Sequence, residues 1–173
     1  ATIALAVGVR RMAKRQALVR RLPSVETLGS VTVICSDKTG TLTAGEMTVT
    51  TLALPGREIA ISGTGYDPTG VFTENGRSIE PLHDPQLRMA LHITMLANRA
   101  DIELGEDGWV VRGDPTEGAL LVASRKAGLE RRELLRKHPE AGELPFSSER
   151  MLMATFHHIA GDGLAAHVKG APD

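Results

Sequence analysis

Residues 31–43 read VTVICSDKTGTLT, and this stretch decides the predicted fold. Residues 31–35 are apolar or β-branched, and the run ends abruptly at Ser36, Asp37 and Lys38. Such a run is typical of a buried strand in a parallel sheet, and open α/β sheets bind ligands at the carboxyl ends of their strands. The sequence therefore predicts an α/β fold in which this strand presents Asp37 at a ligand-binding edge.

The residues around this predicted edge suit phosphoryl transfer. A carboxylate at position 37 can attack phosphorus and form an aspartyl-phosphate. Lys38 and the hydroxyl and amide groups of Thr39, Gly40 and Thr41 would then surround the charge of the transferred group. A strand followed by a polar turn without catalytic function is the alternative interpretation.

The motif DKTGTLT at 37–43, preceded by LPSVETLG at 22–29, resembles the phosphorylation region of P-type cation-transporting ATPases, most closely the calcium-pump type. The resemblance implies a partial Rossmann-like phosphorylation domain of the haloacid-dehalogenase type. An α+β nucleotide-binding domain with an antiparallel sheet would follow it. It also implies that the parent protein uses ATP to phosphorylate Asp37 and couples this to ion transport, with Lys38 and Thr39 as further catalytic residues. Mg²⁺ would contact an oxygen of Asp37 and the main-chain carbonyl of Thr39.

Two other functions remain open at this point. Phosphatases of the haloacid-dehalogenase superfamily usually carry a second aspartate two positions after the nucleophile, where it acts as general acid and base. Thr39 occupies that position here and cannot do this work, which disfavours a phosphatase. A non-catalytic nucleotide-binding fragment of a truncated pump is compatible with every motif present.

Three later blocks resemble the nucleotide-binding domain of the same pumps. In GDPTEGAL at 113–120, Asp114 and Glu117 also form a capping-box pattern that predicts a helix start. The resemblance places Glu117 beside the adenine of ATP, and it makes Phe146, in LPFSSERMLM at 144–153, the aromatic that stacks on that ring. Lys169 and Gly170, in KGAP at 169–172, would contact the ring edge or the phosphates.

One residue of the block at 144–153 departs from the family pattern. Met151 stands where these pumps commonly carry a lysine, so the site loses one positive charge beside the nucleotide. Weaker ATP binding is the hypothesis that follows.

Local patterns predict several elements between these blocks. Residues 47–54 and 59–61 suit an antiparallel hairpin, with a turn at 55–58. Apolar residues at near-helical spacing predict a core-facing helix over 85–99. The helix that begins at Asp114 should continue beyond Leu129, with an interruption near Gly128.

The N-terminal segment is apolar at residues 1–9 and rich in Lys and Arg at residues 10–21. An apolar run followed by basic residues is typical of the cytoplasmic end of a membrane helix, although an amphipathic soluble helix fits equally well. With the pump resemblance, we expect residues 1–21 to be the end of membrane helix 4 and its stalk. Residues 22–46 would then begin the phosphorylation domain, and 47–173 would form the nucleotide-binding domain. The segment would lie on the cytoplasmic side of a multi-pass membrane protein.

The composition bears on two other features, a nucleic-acid partner and an internal disulfide. The chain has 173 residues, a formal net charge of −1 and only three Phe, one Tyr and one Trp, which gives no support for a nucleic-acid partner. Its single cysteine, Cys35, excludes an internal disulfide and is expected to pack within the predicted strand. The expected partners are ATP and a transported cation, with calcium implied by the resemblance alone.

Overall fold

The structure is a computed structural model that describes residues 2–38, 41–43, 45–106 and 108–171, with the backbone alone for Thr2 and Leu22. The chain divides into two compact units, residues 1–44 and residues 45–173. The predicted three-part division at residues 21 and 46 remains a prediction.

The described residues of the first unit form two helices, α1 at Thr2–Lys14 and α2 at Leu22–Ser30. Pro23 lies in the first turn of α2, where its fixed φ suits the helix and its missing N–H costs no hydrogen bond. Among the described residues, no helix combines the length and the apolar character that crossing a bilayer demands.

The strand predicted over residues 31–35 is wrong. The described residues 31–38 form neither strand nor helix, and Val33 and Ile34 are 75% and 77% exposed. A parallel strand needs hydrogen-bonded neighbours, whereas every sheet pairing among the described residues is antiparallel and lies beyond residue 50. The described residues therefore do not show the predicted Rossmann-like phosphorylation domain, which stays a prediction. Cys35 is also exposed, so its predicted packing is wrong.

The second unit begins with a four-stranded antiparallel sheet in the order β1-β2-β3-β4. Its strands are Thr51–Leu54, Arg57–Ile61, Phe72–Glu74 and Arg77–Ile79. The tight turn between β1 and β2 uses Gly56 at φ +76°, a left-handed conformation that glycine adopts without steric cost. The predicted hairpin is confirmed, although β1 begins only at Thr51 and β2 begins at Arg57, within the predicted turn.

Three helices follow or separate the strands: α3 at Pro85–Leu96, α4 at Pro115–Lys126 and α5 at Arg131–Lys137. Asp84 caps α3 by accepting hydrogen bonds from the amides of Gln86 and Leu87. The helix buries Leu87, Leu91, Met95 and Leu96, which confirms the predicted core-facing helix, although it ends three residues earlier than Arg99. The predicted interruption near Gly128 is confirmed by the break between α4 and α5.

The described part of the unit contains five further strands. Strands β5 (Asp101–Gly105) and β6 (Gly108–Arg112) form a two-stranded ribbon. Strands β7 (Glu140–Ser147), β8 (Leu152–Ile159) and β9 (Gly163–Gly170) form an antiparallel sheet in chain order. The main hydrophobic core joins the first sheet to α3, α4 and α5 through buried side chains that include Ile59, Phe72, Leu87, Leu91, Met95 and Leu121. The second unit is thus a mixed α/β structure with antiparallel sheets.

Candidate nucleotide site

The start of α4 positions the first predicted nucleotide contact. The carboxylate of Asp114 accepts hydrogen bonds from the amides of Thr116 and Glu117, at 2.9 and 3.1 Å, so its predicted capping role is confirmed. The carboxylate of Glu117 turns to the loop after α3 instead of completing the capping box. Its Oε2 accepts from the amides of Arg99 and Ala100, at 2.9 and 3.1 Å.

The fold brings Glu117 into direct contact with a second predicted residue. The ammonium of Lys169, near the end of β9, donates to Oε1 of Glu117 at 2.7 Å. The two side chains are only 23% and 15% exposed, which limits the screening of their attraction by water. Residues 52 positions apart in the chain therefore form one ion pair, which the sequence blocks did not indicate.

The third predicted residue, Phe146, lies on β7 and is 58% exposed. The ladder between β7 and β8 is irregular here, because Leu144 pairs with Ala154 while the next paired residue of β7 is Ser147. Pro145 cannot donate to the ladder, and its carbonyl accepts instead from the guanidinium of Arg150 at 3.2 Å. The irregularity leaves an aromatic side chain exposed on an edge strand.

The sheet register places these residues at one end of the β7-β8-β9 sheet. Lys169 pairs with Met153 and Gly170 pairs with Leu152, which in turn pairs with Ser147, the neighbour of Phe146. A cationic side chain and an exposed aromatic side chain thus flank the beginning of β8.

The structure gives Gly170 a packing reason for being glycine. A Cβ added there would lie 2.6 Å from the Cβ of Leu152 and 2.6 Å from the carbonyl oxygen of Met151. The close approach of β9 to β8 requires a residue without a side chain at this position. Its predicted contact with the nucleotide stays a prediction.

Met151 closes the turn between β7 and β8. Its amide donates to the carbonyl of Ser147 at 2.8 Å, and its own carbonyl accepts from the amide of Ala171 at 3.0 Å. The side chain is 48% exposed, so a lysine at this position could extend into solvent without entering the core.

The predicted catalytic residues belong to the first unit. The carbonyl of Lys38 accepts from the amides of Leu42 and Thr43, at 3.0 and 3.1 Å. Thr39 lies outside the described residues, so its predicted catalytic and metal roles stay predictions. The part of the chain that the structure describes contains no group of three or more His, Cys, Asp or Glu side chains arranged to hold a metal ion.

Sequence reasoning missed Arg99, in the loop between α3 and β5. Its guanidinium donates from Nε to Glu143 at 2.6 Å and from Nη1 and Nη2 to Glu140 at 2.9 and 2.7 Å. These hydrogen bonds lower the pKa of Glu140 and raise that of Arg99. No sequence pattern indicated the contact, since the two glutamates are three residues apart and would lie on opposite faces of a regular strand.

Comparison with known proteins decides the family. Residues 86–173 match the family model described as P-type ATPase, cytoplasmic domain N. The chain belongs to the P-type ATPases. A cation-transporting ATPase of Synechocystis is 45% identical over 98% of the chain, and a probable cation-transporting ATPase F of Mycobacterium tuberculosis is 46% identical over 98%. A calcium-transporting ATPase of Bacillus subtilis is 41% identical over 99% of the chain. The chain spans 19% of the length of each of these P-type ATPases.

Proposed function

We propose that the second unit contains the nucleotide-binding surface of an ATP-driven cation pump, with Glu117, Phe146, Lys169 and Gly170 contacting ATP. The observation that carries the proposal is the ion pair between Glu117 and Lys169. Lys169 lies at the same end of the β7-β8-β9 sheet as the exposed Phe146. The match to the N domain of P-type ATPases supports it.

The chemistry of these side chains suits an adenine nucleotide. An exposed aromatic ring offers a stacking surface, and stacking contributes about 1–3 kcal/mol per base in single-strand nucleic-acid complexes. The pair of Glu117 and Lys169 presents an acceptor beside a donor. The carboxylate would accept from an exocyclic amine, while the ammonium would donate to a ring nitrogen or a phosphate oxygen.

We also propose that Asp37 accepts the γ-phosphate in the whole protein, with Lys38 and Thr39 stabilising the transferred group. The single carboxylate of Asp37 fits one position in the coordination shell of Mg²⁺, which is usually held by one or two carboxylates, water and substrate phosphates. The bound ion would neutralise phosphate charge during transfer. The remaining ligands would come from the main-chain carbonyl of Thr39, from ATP and from other parts of the pump.

Ion transport by the whole protein is part of the same proposal. The relatives are named cation-transporting or calcium-transporting ATPases, so a cation, with calcium as the first candidate, is the proposed cargo. The chain would then lie on the cytoplasmic side of a membrane protein.

Titration of the chain with ATP by calorimetry tests the nucleotide site. We expect saturable binding that Phe146→Ala and Lys169→Ala each weaken about tenfold, because stacking and one charged contact are each worth 1–3 kcal/mol. Phe156→Ala and Lys137→Ala are matched controls, since they remove an exposed aromatic on β8 and an exposed cation on α5.

The folded state of every variant is checked by circular dichroism. ATP binding that is absent, or that all four variants weaken equally, would contradict the proposed site. Phosphate release from small phosphoesters would instead favour a phosphatase.

A further inference from the structure

Each strand of the β7-β8-β9 sheet has a polar link to the chain around the end of α3 and the start of α4. On β9, Lys169 binds Glu117. On β8, the hydroxyl of the buried Thr155 donates to the carbonyl of Leu96 at 3.2 Å. On β7, the link is Arg99, which binds two carboxylates of that strand.

Arg99 touches both sides of the proposed nucleotide site. Its main-chain amide donates to Oε2 of Glu117 at 2.9 Å, on the side where the ion pair with Lys169 lies. Its guanidinium binds Glu140 and Glu143 of β7, the strand that carries Phe146 three residues later. One residue therefore connects the proposed polar contact to the strand that carries the proposed stacking ring.

A β-bulge makes this clamp possible. Glu140 pairs with His157 and Glu143 pairs with Thr155, and the register shifts between Glu140 and Gly142. Both His157 and Thr155 are fully buried, so the shift brings both glutamates to the inner face of the sheet. In a regular strand, two residues three positions apart would point to opposite faces.

Strand β7 needs such a clamp because its own ladder fixes it weakly. It is an edge strand with β8 as its sole pairing partner in the described sheet, and its register shifts twice. Phe146 lies within the second shift. Three guanidinium nitrogens bound to two carboxylates form a network, which holds a strand more firmly than an isolated surface ion pair does.

We propose that Arg99 is a positioning residue for the adenine end of the nucleotide site. Its clamp on Glu140 and Glu143 sets the position of β7, and with it the stacking ring of Phe146, relative to Glu117 and Lys169. This inference rests on the proposed nucleotide function and deepens it.

Calorimetric titration of Arg99→Gln with two probes, ATP and inorganic triphosphate, tests the inference. We expect the Kd for ATP to rise about tenfold, within the range of coupling seen between contacting residues, and the Kd for triphosphate to stay unchanged. Triphosphate has no base to stack, so a variant that displaces only the stacking ring should leave triphosphate binding unchanged. Arg112→Gln is the matched control, because it removes an exposed arginine paired with Glu103 on the β5-β6 ribbon.

A double-mutant cycle with Phe146→Ala shows whether Arg99 acts through the ring. If it does, Arg99→Gln causes no further loss of ATP affinity in the Phe146→Ala background. An equal loss in both backgrounds, an equal loss for both probes, or ATP binding like that of Arg112→Gln would each overturn the inference.

Two further variants keep the test decisive if Arg99→Gln does not fold. Arg99→Lys retains the charge and the main-chain amide but loses the fork that binds two carboxylates, and we expect it to weaken ATP binding partly. Glu143→Gln loosens the same clamp from the strand side and should act in the same direction.

If Phe146→Ala and Lys169→Ala weaken ATP binding while these variants do not, the inference fails and the proposed function stands. If Phe146→Ala and Lys169→Ala have no effect, the proposed function itself fails.

Discussion

The ion pair between Lys169 and Glu117 contributes contacts to the fold, and both residues also belong to the proposed nucleotide site. The Glu117 carboxylate on α4 accepts from two main-chain amides of the loop after α3 and pairs with Lys169 of β9. Removing one partner of a half-buried ion pair leaves a poorly compensated charge. Substitutions at either residue therefore need a measurement of folding beside each measurement of binding.

Met151 offers a test that avoids this complication. It has φ +52°, a strained conformation that lysine would share, and its side chain is exposed. We expect Met151→Lys to strengthen ATP binding about threefold, because an added cation near the phosphates gains a fraction of a kcal/mol at an exposed position. Calorimetry in low salt measures the Kd.

Met89→Lys is the matched control for this gain, since it adds the same charge at an exposed methionine on α3. Equal gains in both variants would mean that net charge alone attracts ATP. No gain at position 151 would show that the site compensates for the missing lysine elsewhere.

At the scale of elements, the contact between α4 and β6 depends on a glycine. Gly118 is buried on α4, and a Cβ there would lie 2.3 Å and 2.6 Å from the two methyl carbons of Val111. Alanine favours helices by about 1 kcal/mol relative to glycine, but this overlap would push the helix and the ribbon apart.

We therefore expect Gly118→Ala to lower the free energy of unfolding by about 1–3 kcal/mol. Urea denaturation followed by circular dichroism measures it. Adding Val111→Ala should restore part of the loss, because it removes the methyl groups that the new Cβ would meet. A Gly118→Ala variant as stable as the parent chain would contradict this packing argument.

At the scale of the whole molecule, the second unit gathers histidines from four separate parts of the chain. His157 on β8 and His167 on β9 have ring centroids 5.0 Å apart. His138, after α5, interacts electrostatically with both, and His92 on α3 interacts with His138 and His167. His157 is fully buried, and neither ring nitrogen has a hydrogen-bond partner among the described residues.

Burial lowers the pKa of His157, His167 and His92, and nearby positive charges lower it further. His138, Arg88, Lys137 and Arg99 contribute to this, while Glu140 partly opposes it at His157. The unfolded chain, with histidine pKa values near 6.5, then binds more protons than the folded chain as the pH falls. The stability that these three neutral histidines contribute is therefore fully present above about pH 6.5, and it is lost progressively as the pH falls below that value.

We expect the urea midpoint of the second unit to fall between pH 7 and pH 5, with each unit of pKa difference worth about 1.4 kcal/mol. His157→Leu should flatten this dependence, since it removes the buried ring that must be protonated. His158→Leu, at an exposed position next to it, should leave the dependence unchanged. Parallel pH profiles for all three chains would show that His157 does not carry the effect.

Local patterns predicted the elements whose side chains alternate regularly or sit at caps. The β1-β2 hairpin, α3 and the start of α4 follow from turn residues, apolar spacing and Asp114. The same approach failed for residues 31–35, because a strand is completed by partners and the apolar pattern does not supply them. It also mistook Glu117 for the second half of a capping box, since the competing amides of Arg99 and Ala100 come from another part of the chain.

The sequence by itself determined the family and the chemical types in the candidate site, because short motifs carry the side chains that a reaction needs. The tertiary structure alone decided which of them meet. It joined Glu117 to Lys169, gave Gly170 a packing role, and used a β-bulge to turn Glu140 and Glu143 toward Arg99. The physical reason is that contacts between distant residues depend on strand register and helix position, which are set by the packing of the whole unit.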